Sequence, residues 1–300
     1  MRSVTEIADL LARHAPRDGV HATALSRVTL IRSATVTTPM PTVYEPAFCL
    51  VAQGAKEGRL GGRRFDYGPG RFLLGAVDLP LIGAVTEASA DAPYLCLCLT
   101  LDMAALADML AEPSLAPQAA DPASLGLVVG EAGPSLTDAA YRLLSLLDAA
   151  EDAAALGPLI ERELLWRLLN GPAGPLLRHM ARLGSEGGRV QRVLRWLREH
   201  FAEGVSIERL ADMAGMSASG FHQHFKTVTG MSPLQYRARL RLHEARRLMI
   251  ADGADAASAG FRVGYGSPSQ FSREYARAFG APPARDATRL RLPDEQAVAA

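Results

Sequence analysis

The stretch Ser206-Ile-Glu-Arg-Leu-Ala-Asp-Met-Ala-Gly-Met-Ser217, continued by Phe221-His-Gln-His-Phe225, decides the fold of half this chain. It reads as a helix, a glycine turn and a second helix opened by a serine cap, which is the pattern of a helix-turn-helix pair. Ala211 is small where the two helices must cross closely, and Gly215 permits the tight turn. Phe221 and Phe225 lie four apart and so share the buried face of the second helix.

The pattern then returns. Phe221, Phe225, Gly230 and Pro233 recur as Phe271, Tyr275, Gly280 and Pro283, and Ser217 and Ser219 recur as Ser267 and Ser269, every pair offset by 50 residues. The upstream counterpart is Ala256-Ala-Ser-Ala-Gly-Phe-Arg-Val-Gly-Tyr-Gly-Ser267, with one extra turn residue. In this second copy Ser267 is expected to cap the helix, Pro268 to take its first position and Gln270 to complete a capping box. Gly260 stands where alanine is expected and should weaken its helix by roughly 1 kcal/mol.

The exposed front of each second helix carries the information. In the first copy it presents Ser217, Ser219, His222 and Gln223, with Lys226 one turn later; in the second, Ser267, Ser269, Gln270 and Arg273. Such side chains suit groove readout, since glutamine can bridge adenine and arginine guanine. A single helix of this kind reads more readily as a solvated face, but the duplication and the charge distribution reverse that preference. The whole chain of 300 residues has 32 basic and 32 acidic side chains. Residues 1–184 hold 15 basic against 20 acidic (−5), leaving 17 against 12 (+5) for residues 185–300. Such asymmetry suggests a nucleic-acid- or membrane-facing part joined to something else.

The matching stretches Ser206–Ser217, His222-Gln-His-Phe-Lys226, Gly230-Met-Ser-Pro-Leu-Gln-Tyr236 and Gly264-Tyr-Gly-Ser-Pro-Ser-Gln-Phe-Ser-Arg-Glu-Tyr275 resemble the DNA-binding domain of the AraC/XylS family of bacterial transcription regulators. The resemblance implies two helix-turn-helix units joined by a long helix, here about Pro233–Ala251. It also implies double-stranded promoter DNA and RNA polymerase as partners, and an activator. Arg237, Arg239, Arg241 and Arg246 on the joining helix are expected to include phosphate contacts.

The first half changes character. Short apolar segments, Leu25–Ser33, Ala47–Gln53, Arg59–Tyr67, Arg71–Gly75, Leu79–Ala88 and Tyr94–Leu101, alternate with Gly, Pro and Asp, as in an all-β sandwich or barrel. Helices are expected over residues 3–14, from Asp102, and over Ser135–Ala149 and Leu159–Leu169, with a surface loop at 113–134. Val43-Tyr-Glu-Pro46, Cys49-Leu-Val-Ala-Gln-Gly54, Val77-Asp-Leu-Pro80 and Glu163-Leu-Leu-Trp-Arg-Leu-Leu169 resemble the AraC-type N-terminal domain. That resemblance implies a cupin-like β domain for effector sensing or dimerisation. The expected fold is therefore multi-domain α+β: a cupin-like β-barrel or sandwich with accessory helices at 1–172, a linker at 173–188 broken by Gly184-Ser-Glu-Gly-Gly188, an all-α double helix-turn-helix domain at 189–292, and a tail at 293–300.

A metal cupin needs several histidines on strands facing one pocket, but the first half has only His14, His21 and His179, all outside residues 25–100. No catalytic residue, metal or cofactor is expected, and a cupin enzyme or a protein-interaction barrel fused to a DNA reader is the alternative. His200 and His243 read as helix-surface or interhelix residues. Tyr44, Glu45, Cys49, Cys96 and Cys98 are candidate effector contacts. Cys96 and Cys98 alternate and so share one side of a strand. Core packing is their first reading; a thiol sensor of electrophiles or oxidants is the sharper one. No run approaches the ~20 apolar residues of a membrane span, and acids interrupt the N-terminal apolar pattern, so a cytoplasmic location is expected.

Overall fold

The computed structural model describes residues 2–60, 63–112 and 126–291. Contacts divide the chain into two compact units, Met1–Gln191 with Thr227–Gly230, and Arg192–Lys226 with Met231–Ala300.

The first unit opens with helix α1 (Val4–His14), started by a capping box in which the Glu6 amide donates to Ser3 Oγ and the Ser3 amide to the Glu6 carboxylate. Ten strands follow with helices interleaved: β1 (Gly19–Ala22), β2 (Val28–Ser33), β3 (Met40–Tyr44), β4 (Ala47–Gln53), β5 (Ala55–Leu60), β6 (Arg63–Tyr67), β7 (Arg71–Gly75), β8 (Leu79–Glu87), β9 (Tyr94–Thr100) and β10 (Leu127–Glu131). They form a six-stranded antiparallel sheet, β1-β2-β9-β4-β7-β10, and a four-stranded one, β3-β8-β5-β6. Among the described residues the strands make an open sandwich rather than a closed barrel.

Burial on both faces explains the composition of β4, whose Ala47 to Ala52 are all buried. Register sorts its side chains. Phe48 and Leu50 pair across the sheet with Leu99 and Leu97, and with Leu74 and Phe72 on the other side; helix α1 packs over β4 and β9. Cys49 and Val51 pair with Cys98 and Cys96 on the opposite face. That face looks into the sandwich, where Leu73 on β7 reaches Gly58 on β5.

Helices α2 (Met103–Ala111), α3 (Pro134–Ser145) and α4 (Ala150–Leu169) complete the unit, with a short 3₁₀ turn at Leu146–Asp148. Two expectations need correction here. The stretch expected to be a loop contains β10, which pairs with β7; residues 113–125 lie outside the described residues. Helix α4 begins nine residues before its expected start and contains Pro158. A proline forfeits one backbone hydrogen bond, a local cost that the burial of Ile160, Leu164, Leu165 and Leu168 offsets.

Helix α5 (Gly174–Glu199) runs through Gly184–Gly188, where a break was expected. Each glycine costs a helix only about 1 kcal/mol, and buried Leu176, Leu177, Val190, Val193 and Leu194 flank the stretch. The second unit is otherwise all helix: α6 (Ile207–Ala214), α7 (Ala218–Thr229), α8 (Pro233–Ala251), α9 (Ala256–Arg262), α10 (Pro268–Phe279) and α11 (Pro283–Arg291). Helix α8 has the expected bounds, opened by Pro233 and by a capping box between Ser232 and Gln235.

The glycine at 260 is a packing device rather than a weakness. A Cβ there would lie 3.0 Å from two ring carbons of Phe271, and that ring is fully buried between Tyr265 and Tyr275. Overpacking costs on the order of 1–3 kcal/mol against roughly 1 kcal/mol of helix propensity gained. Gly260→Ala should therefore lower the unfolding midpoint of the helical unit; a raised midpoint in a denaturant titration would show that Phe271 can move aside.

Candidate DNA-reading surface

Each helix-turn-helix copy is built by local chemistry. Ser206 Oγ accepts from the Arg209 amide at 3.2 Å and starts α6. Gly215 ends it in the left-handed region at φ +59°, and the Met216 amide closes onto the Ala211 carbonyl. The Gly220 amide then donates to Ser217 Oγ at 3.3 Å, so Ser217 holds the start of α7. In the second copy Asp255 accepts from the amides of Ala257 and Ser258 to start α9. Gly264, at φ +88°, makes the turn; a Cβ there would clash with the Ala202 carbonyl oxygen. Ser267 occupies the cap of α10 without a side-chain hydrogen bond. The expected capping box is absent; the Gln270 side-chain amide donates to Glu274 Oε1 at 3.0 Å.

The two copies bury the same positions with different chemistry. Phe221 and Phe225 are fully buried, and Phe225 meets Tyr236 edge-on, with ring centroids 5.4 Å apart. Fifty residues on, those last two positions are Tyr275 and Asp286, and the contact becomes a hydrogen bond from Tyr275 Oη to Asp286 Oδ2 at 2.8 Å. Arg246 Nε also donates to Asp286 Oδ2 at 2.8 Å, and Arg289 Nη2 to Oδ1 at 2.8 Å. Burial alone would raise the Asp286 carboxyl, but the hydrogen bonds from Arg246 and Tyr275 hold it below its ordinary value.

The faces opposite these anchors carry the expected readers. On α7, Ser219, His222, Gln223 and Lys226 are exposed at spacings that place them on one face. On α10, Ser269, Gln270 and Arg273 are exposed, and Ser267 is half-buried. Arg277, one turn beyond Arg273, is exposed too and was missed by the sequence reading. Its signal was the four-residue spacing from Arg273.

The joining-helix arginines do not behave as a group of phosphate contacts. Arg246 is 3% exposed and committed to Asp286. Arg237 and Arg241 donate to the Phe201 carbonyl, and Arg241 also to that of Ala202. Arg239 is half-buried. Arg262, Arg277 and Arg285 are exposed with no ion pair among the described residues. His243, expected at a surface or between helices, is 6% exposed on α8 beside Phe279. Neither of its ring nitrogens has a partner among the described residues. Burial, reinforced by Arg239 and Arg246, pushes it down to about 3.

Among the candidate effector residues, Tyr44 faces inward, with its ring 5.2 Å from Lys56 Nζ. Glu45 is exposed in the connection between β3 and β4. The three cysteines converge inside the sandwich with Tyr67, Tyr94 and Lys56. Sequence reasoning missed these last three, although Lys56 is one of only two lysines in the chain. Among the described residues no group of three His, Cys, Asp or Glu could hold a metal ion, and no helix is long and apolar enough to cross a membrane.

Two helix-turn-helix units, each presenting a polar and cationic helix face, are an architecture suited to reading DNA grooves. A family model for the AraC-type transcriptional regulator N-terminus matches residues 24–176, just over half the chain, and a helix-turn-helix model matches residues 210–289. The chain belongs to the AraC-type transcriptional regulators. It is 32% identical over 141 residues to the HTH-type transcriptional activator RhaS of Enterobacter sp. (strain 638), a match covering 46% of this chain and 49% of that protein. RhaS of Citrobacter koseri is 31% identical over the same length and coverage. The chain spans about half the length of the RhaS relatives it matches. Apo ToxT from Vibrio cholerae strain SCE256, in a lysine-to-alanine variant, shares the fold: TM-score 0.50 over 91% of this chain and 100% of that one, at 7% identity.

The buried charges predict a pH response of the helical unit. Unfolded histidine titrates near 6.5, so between about pH 6.5 and 3 the unfolded chain takes up a proton that folded His243 resists. Stability is then lost as pH falls, by about 3 kcal/mol at pH 4 for this group. His243→Leu should remove that loss and leave stability at pH 7.5 nearly unchanged; denaturant melts at both pH values check it. The depressed Asp286 carboxyl contributes stability that is present above its unfolded value and lost as pH falls through the folded one. Asp286→Asn leaves Arg246 buried without its counter-charge and should cost about 3–5 kcal/mol at pH 7, read from the same melts.

Proposed function

We propose that this protein is a sequence-specific DNA-binding transcription regulator. The observation that carries the reading is the duplicated reader: two caps, two buried aromatic anchors and two exposed polar faces, related by one 50-residue offset. The two reading helices enter successive major grooves of double-stranded promoter DNA, about 34 Å apart along the duplex. Gln223 and Arg273 read base edges, helped by Ser219, His222, Lys226, Ser269 and Gln270; Ser217 caps the start of α7, and Ser267 takes the matching position before α10. Arg262, Arg277 and Arg285 replace the joining-helix arginines as phosphate contacts.

The N-terminal sandwich, residues 1–172, receives a small-molecule effector or a second copy of the chain. Residues 173–188 form a helical linker and residues 189–292 the reader; the tail expected at 293–300 lies outside the described residues. The match to RhaS activators favours activation through RNA polymerase in the bacterial cytoplasm, and regulation over catalysis.

Binding of a defined operator and of random DNA tests the reading. Arg273→Ala or Gln223→Ala should cost about 1–3 kcal/mol on the operator and relax preference at one base position. Equal losses on all sequences would reassign those side chains to phosphate. Arg277→Ala should weaken every sequence alike and reduce the salt slope by about one.

A further inference from the structure

The N-terminal sandwich contains a cluster that groove reading does not use. Cys49 on β4 and Cys98 on β9 are direct cross-strand partners, with sulfur atoms 3.1 Å apart. Cys96 lies two residues along β9 on the same face and hydrogen-bonds with Cys49. Tyr94 and the Lys56 ammonium border it. Lys56 has no ion pair among the described residues; its neighbours are the Tyr44 ring and the thiols.

We propose that Cys49 and Cys98 form a thiol switch that a peroxide-class oxidant closes to a disulfide, with Cys96 as the internal proton acceptor. The proposal rests on the reading of the sandwich as the sensing domain. Geometry selects the pair. Directly opposed residues of antiparallel strands have Cα atoms about 4.5–5.5 Å apart, inside the 4.4–6.8 Å that a disulfide spans. The diagonal pair Cys49 and Cys96 lies at about 7–8 Å, beyond that reach. Burial selects the chemistry: Cys49 is 5% and Cys96 1% exposed, so an alkyl adduct would have to be packed into the core, whereas a disulfide adds no atoms. Cys98 is half-buried and is the thiol that an incoming oxidant meets first.

The electrons balance in two steps. The Cys98 sulfur attacks a peroxide oxygen, the O–O bond breaks, and the departing hydroxide takes the thiol proton as water, leaving a sulfenic acid. The Cys49 sulfur then attacks Cys98, the S–O bond breaks, and the Cys49 proton reaches the leaving hydroxide by way of Cys96, giving a second water. Two thiols and one peroxide become one disulfide and two waters. Electrostatics fit these roles. Hydrogen bonding to Cys96 and Cys98, with burial, raises Cys49 and keeps it a thiol donor. The hydrogen bond from Cys49 lowers Cys96 against the opposing effect of burial, aided by Tyr94 and Lys56.

The test treats the reduced full-length protein with stoichiometric hydrogen peroxide. The expected product has lost two hydrogens, yields a peptide linking Cys49 to Cys98 that dithiothreitol releases, and keeps Cys96 alkylatable after denaturation. Its operator affinity should differ roughly fivefold or more from that of the reduced form. Cys96→Ser should slow closure roughly 10-fold or more and move its pH midpoint upward. Three intact thiols, a link through Cys96, or an unchanged operator affinity in the linked form would overturn the proposal. The Cys49→Ala, Cys98→Ala variant, checked by its melting midpoint, separates the two readings. If metabolites still alter its operator affinity, effector sensing stands without the switch; if none does so in this variant or the parent, the sensing reading fails as well.

Discussion

The helical unit depends on one buried carboxylate. Asp286 on α11 is fully inaccessible, and a charge in that position persists only when it is paired and hydrogen-bonded. Its partners come from α8 (Arg246), α10 (Tyr275) and α11 itself (Arg289). Three helices therefore meet at one charged group, and the angle at which α10 shows Ser269, Gln270 and Arg273 to solvent follows from that meeting. The first copy reaches the same end without charge, through the edge-on contact of Phe225 with Tyr236. Duplication preserved the geometry while the anchoring chemistry diverged.

Arg246 shows why charge counts mislead within this unit. The excess of basic side chains over residues 185–300 suggests a generous supply of phosphate contacts. Arg246 is spent on Asp286, Arg237 and Arg241 tie α8 to the Phe201 and Ala202 carbonyls, and Arg247 pairs with Glu244 and Asp252. Arg262, Arg277 and Arg285, exposed and without an ion pair among the described residues, sit on α9, α10 and α11. Nearly half-buried guanidiniums stiffen a joining helix; exposed ones are available to a polyanion.

The sandwich follows a different rule. A strand buried on both faces shows no polar alternation, so β4 reads only as an apolar run. Pairing register then assigns alternate residues to two different environments: Phe48 and Leu50 to the side beneath α1, Cys49 and Val51 to the space between the sheets. That space is unusually polar, holding three thiols, Tyr44, Tyr67, Tyr94 and Lys56. Tyrosine hydroxyls and a lysine stem can share such a volume because each carries an apolar body with one polar tip.

By itself the sequence determined the local features: the two helix-turn-helix copies, which side chains the second helix of each copy leaves exposed, and the strands β4 and β7. Each is set by caps, glycine turns and periodicities that act over a few residues. Tertiary structure decided the rest. It made Gly260 a contact surface for Phe271, buried His243 with no hydrogen-bond partner among the described residues, and turned Arg246 from a surface cation into the counter-charge of Asp286. It also gathered Cys49, Cys96 and Cys98 around Lys56. These outcomes depend on which residues distant in sequence become neighbours, and burial then fixes what each polar group must do.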